Sequence, residues 1–214
     1  ILRHELTHMI LVQELRALAA RVPRWFEEGL AEHLSRQGYQ RIRGWLAWSR
    51  REPLHELVGL EALAAEPLEG SARYGEAYLH ARFFLESGGA AVLPRVLSAM
   101  KGGASFWNAM SAALGRTREE MTFASDVYTR RTLRELALAS GIESFSEARD
   151  LLATVPERGV ALMTHFLAEH EGSAYEWPAR LALARALLVL ERPHEALVHT
   201  TALLHTAQEA WAHT

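Results

Sequence analysis

The chain has 214 residues, of which 49% are hydrophobic and 23% are charged. This length predicts one or two domains, and the apolar fraction is sufficient for a core. The net charge of −3 gives no reason to expect nucleic acid or an anionic membrane as a partner. The absence of cysteine excludes disulfide bonds and thiolate metal ligands. The longest apolar stretch, residues 181–190, contains Arg185 and is too short to span a bilayer.

The first pattern in the chain is His4-Glu5-Leu6-Thr7-His8. Apolar residues at helical spacing predict one helix over residues 1–21. Two histidines four residues apart lie on one face of such a helix, where one tetrahedral zinc ion can accept a nitrogen from each. Glu5 lies beside the same face and can take a proton from a water bound to the metal. Leu6 is expected on the buried side of the helix.

A zinc ion held by two histidines needs a third protein ligand, and a carboxylate leaves the fourth position open for water. Glu28 follows His8 by twenty residues, which is enough chain for a turn at Pro23 and a second helix that runs back past the metal. Glu32 shares a face with Glu28 and can accept the second ring N–H of a ligand histidine. Gly29 is expected to let the two helices approach closely.

Together, these two segments resemble the gluzincin zinc metallopeptidases. Residues 25–32 read Trp-Phe-Glu-Glu-Gly-Leu-Ala-Glu, which is similar to a sequence of membrane-alanyl-type aminopeptidases and of bacterial peptidase-MA-like proteins. The interval from His8 to Glu28 is more similar to that of thermolysin.

The resemblance implies that His4, His8 and Glu28 bind one zinc ion. It also implies that Glu5 is the general base and that Glu32 orients a ligand histidine from outside the coordination sphere. Gluzincins have a β-sheet before the first metal-binding helix, and this chain has no such segment, so we expect it to be a piece of a longer protein. Its localisation is left open, since the chain contains no targeting segment.

An aromatic-rich helix is predicted over residues 73–87. In the aminopeptidase-like families, a tyrosine at the start of a similar helix donates a hydrogen bond to the oxyanion formed during hydrolysis. The resemblance places Tyr74 at that position. Tyr78, one turn later on the same face, is the alternative, and packing of these rings in the core is a third interpretation. His80 is expected on the helix surface.

Helices are predicted in most of the remaining first part of the chain. Residues 39–51 predict either an amphipathic helix that packs its tryptophans on the core, which is favoured, or a flap at the substrate side. Residues 66–71 predict a loop, and Thr117-x-x-Glu120 is a capping box that opens a helix through about Tyr128. The other predicted helices cover about residues 24–36, 92–100 and 105–114. The resemblance to the peptidase-MA-like domain covers about residues 1–130.

The pattern changes near residue 131, and residues 131–144 are expected to form a connector. Residues 145–214 predict two helix pairs. The second pair has small residues at interhelix positions and a turn marked by Pro193, which resembles a tetratricopeptide repeat. Six histidines in this region do not follow the spacing of a helical metal site, and we expect them at surface or interhelix positions. They are His165, His170, His194, His199, His205 and His213.

The sequence therefore predicts an all-α chain, with a zinc-peptidase helical domain over residues 1–130 and a tetratricopeptide-like module over residues 145–214. We expect a zinc-dependent metallopeptidase that acts on a peptide or protein, with the helical repeats as the surface for a protein partner. Neither nucleic acid binding nor a membrane segment is expected.

Two other classes of function remain open at this point. The first is a catalytically inactive metallopeptidase-like scaffold that binds a protein partner through its repeats. The second is a helical adaptor without a metal, in which the His-Glu-x-x-His pattern is a coincidence. Digestion of a peptide library with and without a chelator separates the first alternative from an active enzyme, and the metal content of the purified protein separates the second.

Overall fold

The all-α prediction is confirmed. A computed structural model of the chain describes residues 2–49, 53–65 and 67–212, and these residues form helices and no strand. Predictions at Glu66 and His213 lie outside the described residues. The α-helices are α1 (Leu2–Leu15), α2 (Arg24–Leu34), α3 (Gly38–Trp48), α4 (Leu60–Ala65), α5 (Gly70–Gly88), α6 (Val92–Lys101), α7 (Phe106–Leu114), α8 (Arg118–Ala139), α9 (Ile142–Thr154), α10 (Pro156–Glu169), α11 (Glu176–Val189) and α12 (Pro193–Ala212). No helix among the described residues is long and apolar enough to cross a membrane.

The chain divides into two compact units. The first contains Ile1–Trp45 and Arg51–Arg134, and the second contains Leu46–Arg50 and Glu135–Thr214. The segment predicted as a connector is mostly helical. The capping box closes as predicted, because the Thr117 and Glu120 side chains accept each other's backbone N–H, but α8 continues to Ala139 rather than ending near Tyr128.

The first unit is built around α2 and α5, which pack against each other more extensively than any other pair of helices. Trp25, Phe26 and Leu30 of α2 are all buried. The Trp25 ring lies 5.7 Å from the ring of Phe84 on α5 and 6.1 Å from that of Phe106 on α7. Aromatic rings of this size remove a large apolar area from water, so this cluster fixes the position of α2 in the unit.

The first predicted helix is shorter than expected, because Arg16 has a φ of 50° and the α-helix ends at Leu15. A turn of 3-10 helix follows over Arg16–Arg21. The prediction that Leu6 lies on the buried side of α1 is wrong, since it is 41% exposed. The side of α1 that packs on the unit carries Leu11 and Leu15. The opposite side is apolar and exposed at Leu2, Leu6, Met9 and Ile10.

The amphipathic helix predicted over residues 39–51 corresponds to α3, Gly38–Trp48. Trp45 is buried, and its indole N–H donates a hydrogen bond to Glu56 at 2.9 Å. Trp48 is 59% exposed, so the expectation that both tryptophans pack on the core is correct for Trp45 only. The tight turn before α3 contains Arg36 with a φ of 61°, and Gly38 then lies directly against the ring of Tyr78.

The second unit contains the two predicted helix pairs. Helix α9 packs on α10, α11 packs on α12, and α10 packs on α11. Its core includes Phe145, whose ring stacks on that of Tyr175 at 4.9 Å, together with Phe166 and Leu183. Burial raises the pKa of Tyr175 above its ordinary value, which is consistent with a phenol enclosed in this core.

Gly29 is a point of close approach between α2 and α5, and not between α1 and α2 as predicted. A Cβ at this position would overlap the backbone of Ala77 and lie 2.7 Å from the Cβ of Ala81. We expect Gly29→Ala to lower the free energy of unfolding by about 1–3 kcal/mol through overpacking. Chemical denaturation measures this change.

Gly44 on α3 provides the matched control, because an added Cβ there would meet only the Ser71 side chain, at 3.2 Å or more. Replacing a glycine inside a helix by alanine stabilises it by up to about 1 kcal/mol when the space is free. Gly44→Ala should therefore be neutral or stabilising. Equal destabilisation by both substitutions would contradict the close approach at Gly29.

Candidate metal centre

Helices α1 and α2 bring the predicted ligands together because they run antiparallel. His8 lies beside Glu27, and His4, one turn earlier in α1, lies toward Glu32, one turn later in α2. Glu28 is between these positions and faces both histidines. The two histidines, one turn apart on α1, therefore face acidic side chains that are about one turn apart on α2.

Three side-chain atoms converge at this site. The Nε2 atoms of His4 and His8 are 3.2 Å apart, and Oε2 of Glu28 lies 3.4 Å from the first and 3.6 Å from the second. Among the described residues, these three form the one group of histidine and acidic side chains whose ligand atoms are close enough together to hold a metal ion.

The size of this triangle fits a zinc ion. Zinc binds histidine nitrogen at about 2.0–2.1 Å and carboxylate oxygen at about 2.0–2.2 Å, usually with tetrahedral angles. Those bond lengths separate neighbouring ligand atoms by about 3.3–3.6 Å. The observed separations of 3.2–3.6 Å therefore match this coordination without any movement of the helices.

The hydrogen bond from Nδ1 of His8 holds the imidazole in the tautomer that can bind a metal through Nε2. Its Nδ1 donates to Oε1 of Glu27 at 2.8 Å, because a carboxylate only accepts. In the neutral ring, Nε2 then carries the lone pair that faces His4 and Glu28. Carboxylates behind metal-bound histidines fix the tautomer in this way.

Glu32 occupies the corresponding position behind His4, at a longer distance. Its Oε1 is 3.7 Å from Nδ1 of His4, and the carboxylate is fully buried. Burying a carboxylate without a partner is costly. Arg41 of α3 provides the partner, since its Nε donates to the same oxygen at 2.7 Å.

The remaining predicted residues do not join the triangle. Glu5 is exposed on α1, and Tyr74 is half-buried on α5. The Arg41 guanidinium lies over the Tyr74 ring, 5.3 Å from its centre. Tyr78 instead stacks on His33, with 6.2 Å between the ring centres. In the described part of the chain, neither Glu5 nor Tyr74 forms a hydrogen bond or ion pair with the three ligands.

His33 is a neutral neighbour of this site. Burial, together with the positive charge of Arg82, lowers the pKa of His33 below its ordinary value. Because that value is already below 7, the ring that stacks on Tyr78 is uncharged at pH 7.

Sequence reasoning did not identify Glu27 and Arg41. Glu27 directly precedes Glu28, and a helical wheel of α2 places it beside the face that carries Glu28 and Glu32. The pair of adjacent acidic residues could therefore have indicated it. Arg41 had no such signal, because its contact with Glu32 depends on the turn at residues 35–37 that joins α2 to α3.

The expectation that His80 is on a helix surface is wrong, since it is fully buried. Its Nδ1 lies 2.6 Å from the Ser125 hydroxyl, and its Nε2 lies 3.8–3.9 Å from the carboxylates of Glu76 and Asp126. These carboxylates already accept backbone N–H groups: Glu76 binds those of residues 58 and 59, and Asp126 binds that of Leu60. The cluster therefore ties α4 and its preceding loop to α5 and α8.

Comparison of the chain with protein-family models, with curated proteins and with solved structures returns no match.

Zinc binding tests the geometry of the triangle. We expect the purified chain to bind one zinc ion, and Glu28→Ala to lose it because only two ligands remain. Elemental analysis after dialysis against zinc measures the content. His165→Ala is the control, since this histidine is exposed and pairs with Glu169 on α10. Equal zinc content in the Glu28→Ala and His165→Ala proteins would contradict the site.

A second measurement addresses the hydrogen bond behind His8. Glu27→Ala frees the imidazole to rotate and change tautomer, and we expect the zinc dissociation constant to rise about 10- to 100-fold. Competition with a chromogenic chelator measures this constant. Glu61→Ala removes an exposed carboxylate from α4 and should leave the constant unchanged. An unchanged constant in Glu27→Ala would show that the 2.8 Å contact is not needed.

Proposed function

We propose that this chain is a zinc-dependent metallopeptidase that hydrolyses peptide bonds. The observation that carries the proposal is the triangle of His4, His8 and Glu28, with sides of 3.2, 3.4 and 3.6 Å. Two nitrogen ligands and one carboxylate leave a tetrahedral metal with one open position, which is typical of catalytic rather than structural zinc sites.

The surroundings of the triangle support a functional site. Each ligand histidine has a carboxylate on its far side, Glu27 at 2.8 Å and Glu32 at 3.7 Å. The three ligand side chains are only 12–22% exposed, so their electrostatic interactions are stronger than on an open surface. An accidental pair of histidines on a helix needs none of these features.

A zinc ion held by these residues would supply a Lewis acid that polarises the peptide carbonyl and acidifies the attacking water. The side chain proposed to handle the proton is Glu5, which follows His4 on α1. Glu5 accepts a proton as the water oxygen bonds to the carbonyl carbon. It then gives this proton to the amide nitrogen as the C–N bond breaks, which yields a carboxylic acid and an amine.

Tyr74 is proposed to stabilise the negative charge that develops on the carbonyl oxygen. A neutral phenol can donate a hydrogen bond to that oxygen without contributing a charge of its own. Its position is restrained by Arg41 at the ring face and by packing against the core of the first unit. Tyr78 is a weaker candidate, because its ring is held by His33 and lies against Gly38.

Replacing Glu5 by glutamine tests the mechanism. The substitution keeps the shape of the side chain and removes its ability to accept a proton, so we expect zinc content to be retained and turnover to fall by at least about 100-fold. Cleavage of a fluorogenic peptide library, with and without a chelator, measures turnover. Glu14→Gln is the matched control, because Glu14 is an exposed carboxylate on the same helix that pairs with Lys101.

The outcomes separate the proposed enzyme from an inactive scaffold. Chelator-sensitive cleavage that is lost in Glu5→Gln and kept in Glu14→Gln supports the peptidase. A wild-type chain that binds zinc and cleaves no peptide supports the scaffold. Equal cleavage by the Glu5→Gln and wild-type proteins would overturn the role of Glu5.

A further inference from the structure

We propose that Arg41 is a positioning residue of the metal centre, which holds the Glu32 carboxylate behind His4 and holds the Tyr74 ring in place. This inference rests on the proposed function and extends it to a residue outside the metal-binding helices.

The contact between Arg41 and Glu32 is short and charged. The Nε–Oε1 distance is 2.7 Å, which is typical of strong hydrogen bonds between oppositely charged groups. The Arg41 side chain is 42% exposed, whereas Glu32 is fully buried. The guanidinium therefore keeps part of its hydration while it compensates a carboxylate that has lost all of its own.

One oxygen of Glu32 serves both neighbours. Oε1 accepts the hydrogen bond from Arg41 and also lies 3.7 Å from Nδ1 of His4. Oε2 is buried without a hydrogen-bond partner among the described residues. Arg41 therefore holds Oε1 in its position relative to His4. A substitution at residue 41 should change zinc affinity by displacing this oxygen.

The backbone holds Arg41 in this position. The Gln37 N–H donates to the Glu32 carbonyl at 3.0 Å, and the Arg41 N–H donates to the Gln37 carbonyl at 3.1 Å. These two bonds join the end of α2 to the first turn of α3. Arg41 therefore reaches back to a residue on the preceding helix without a flexible loop between them.

The same guanidinium also contacts Tyr74. Its carbon lies 5.3 Å from the ring centre, within the range of an attractive cation–π interaction. Arg41 thus contacts both Glu32 and Tyr74. One side chain connects the support of a metal ligand with the proposed oxyanion donor.

Zinc affinity provides a readout that does not require activity. We expect Arg41→Met, which keeps the length and loses the charge, to raise the zinc dissociation constant about 10-fold or more. Arg41→Lys should recover part of this loss, because it keeps a positive charge beside Glu32. Arg95→Met replaces an exposed arginine of α6 and should have no effect. Thermal unfolding of the metal-free proteins verifies that each variant is folded.

A double-mutant cycle tests whether Arg41 acts through Glu32. If it does, adding Arg41→Met to Glu32→Gln should weaken zinc binding no further than Glu32→Gln alone. A second cycle measures kcat at saturating zinc, where Arg41→Met should lower kcat in the wild-type background and have little further effect in Tyr74→Phe. Wild-type zinc affinity in Arg41→Met, or full additivity in the first cycle, would overturn the inference.

Different experimental results would contradict this inference and the proposed function. A wild-type chain that binds zinc and cleaves no peptide contradicts the peptidase, and the zinc cycle still decides the role of Arg41. A peptidase whose zinc affinity is insensitive to residue 41 contradicts the inference alone. A wild-type chain that binds no zinc overturns both.

Discussion

The packing of α2 in the core of the first unit is the constraint on which the candidate metal centre depends. Two imidazole nitrogens and a carboxylate oxygen lie 3.2–3.6 Å from one another, a spacing that a bound zinc ion would fit. The packing of α2 holds them there: Trp25 and Phe26 anchor the helix in the aromatic core, and Gly29 brings its backbone against α5. The ligand Glu28 lies between these anchors, so its position follows from the core.

The two ligand histidines are supported differently. His8 has a direct hydrogen bond to Glu27, whose side chain is 29% exposed. His4 faces a fully buried carboxylate at a longer distance, and that carboxylate is bound to Arg41. Burial strengthens charge interactions and makes an uncompensated charge expensive. The His4 side of the candidate centre therefore depends on α3, whereas the His8 side needs only α1 and α2.

Sequence periodicity predicts which side chains share a face of a helix, and this explains which expectations match the local geometry. The spacing of His4 and His8, the spacing of Glu28 and Glu32 and the capping box at Thr117 all describe side chains within one or two turns of a helix. The spacing of residues in the sequence does not predict which side chains are buried in the tertiary structure. Both faces of α1 carry apolar residues, so Leu6 could not be assigned to the correct one. Likewise, the burial of His80 depends on Ser125 and on carboxylates from two other helices.

The distribution of burial around the centre also restricts how a substrate can approach under the proposed function. Glu32 is fully buried, and its ion-pair partner Arg41 lies on α3. Glu5, by contrast, is exposed on α1, and the side chains of His8 and Glu27 keep 22% and 29% of their surface. A general base must reach both the attacking water and the leaving nitrogen. Under the proposed function, a peptide would reach the centre over the exposed Glu5 and the partly exposed side chains of His8 and Glu27, and not past the buried Glu32.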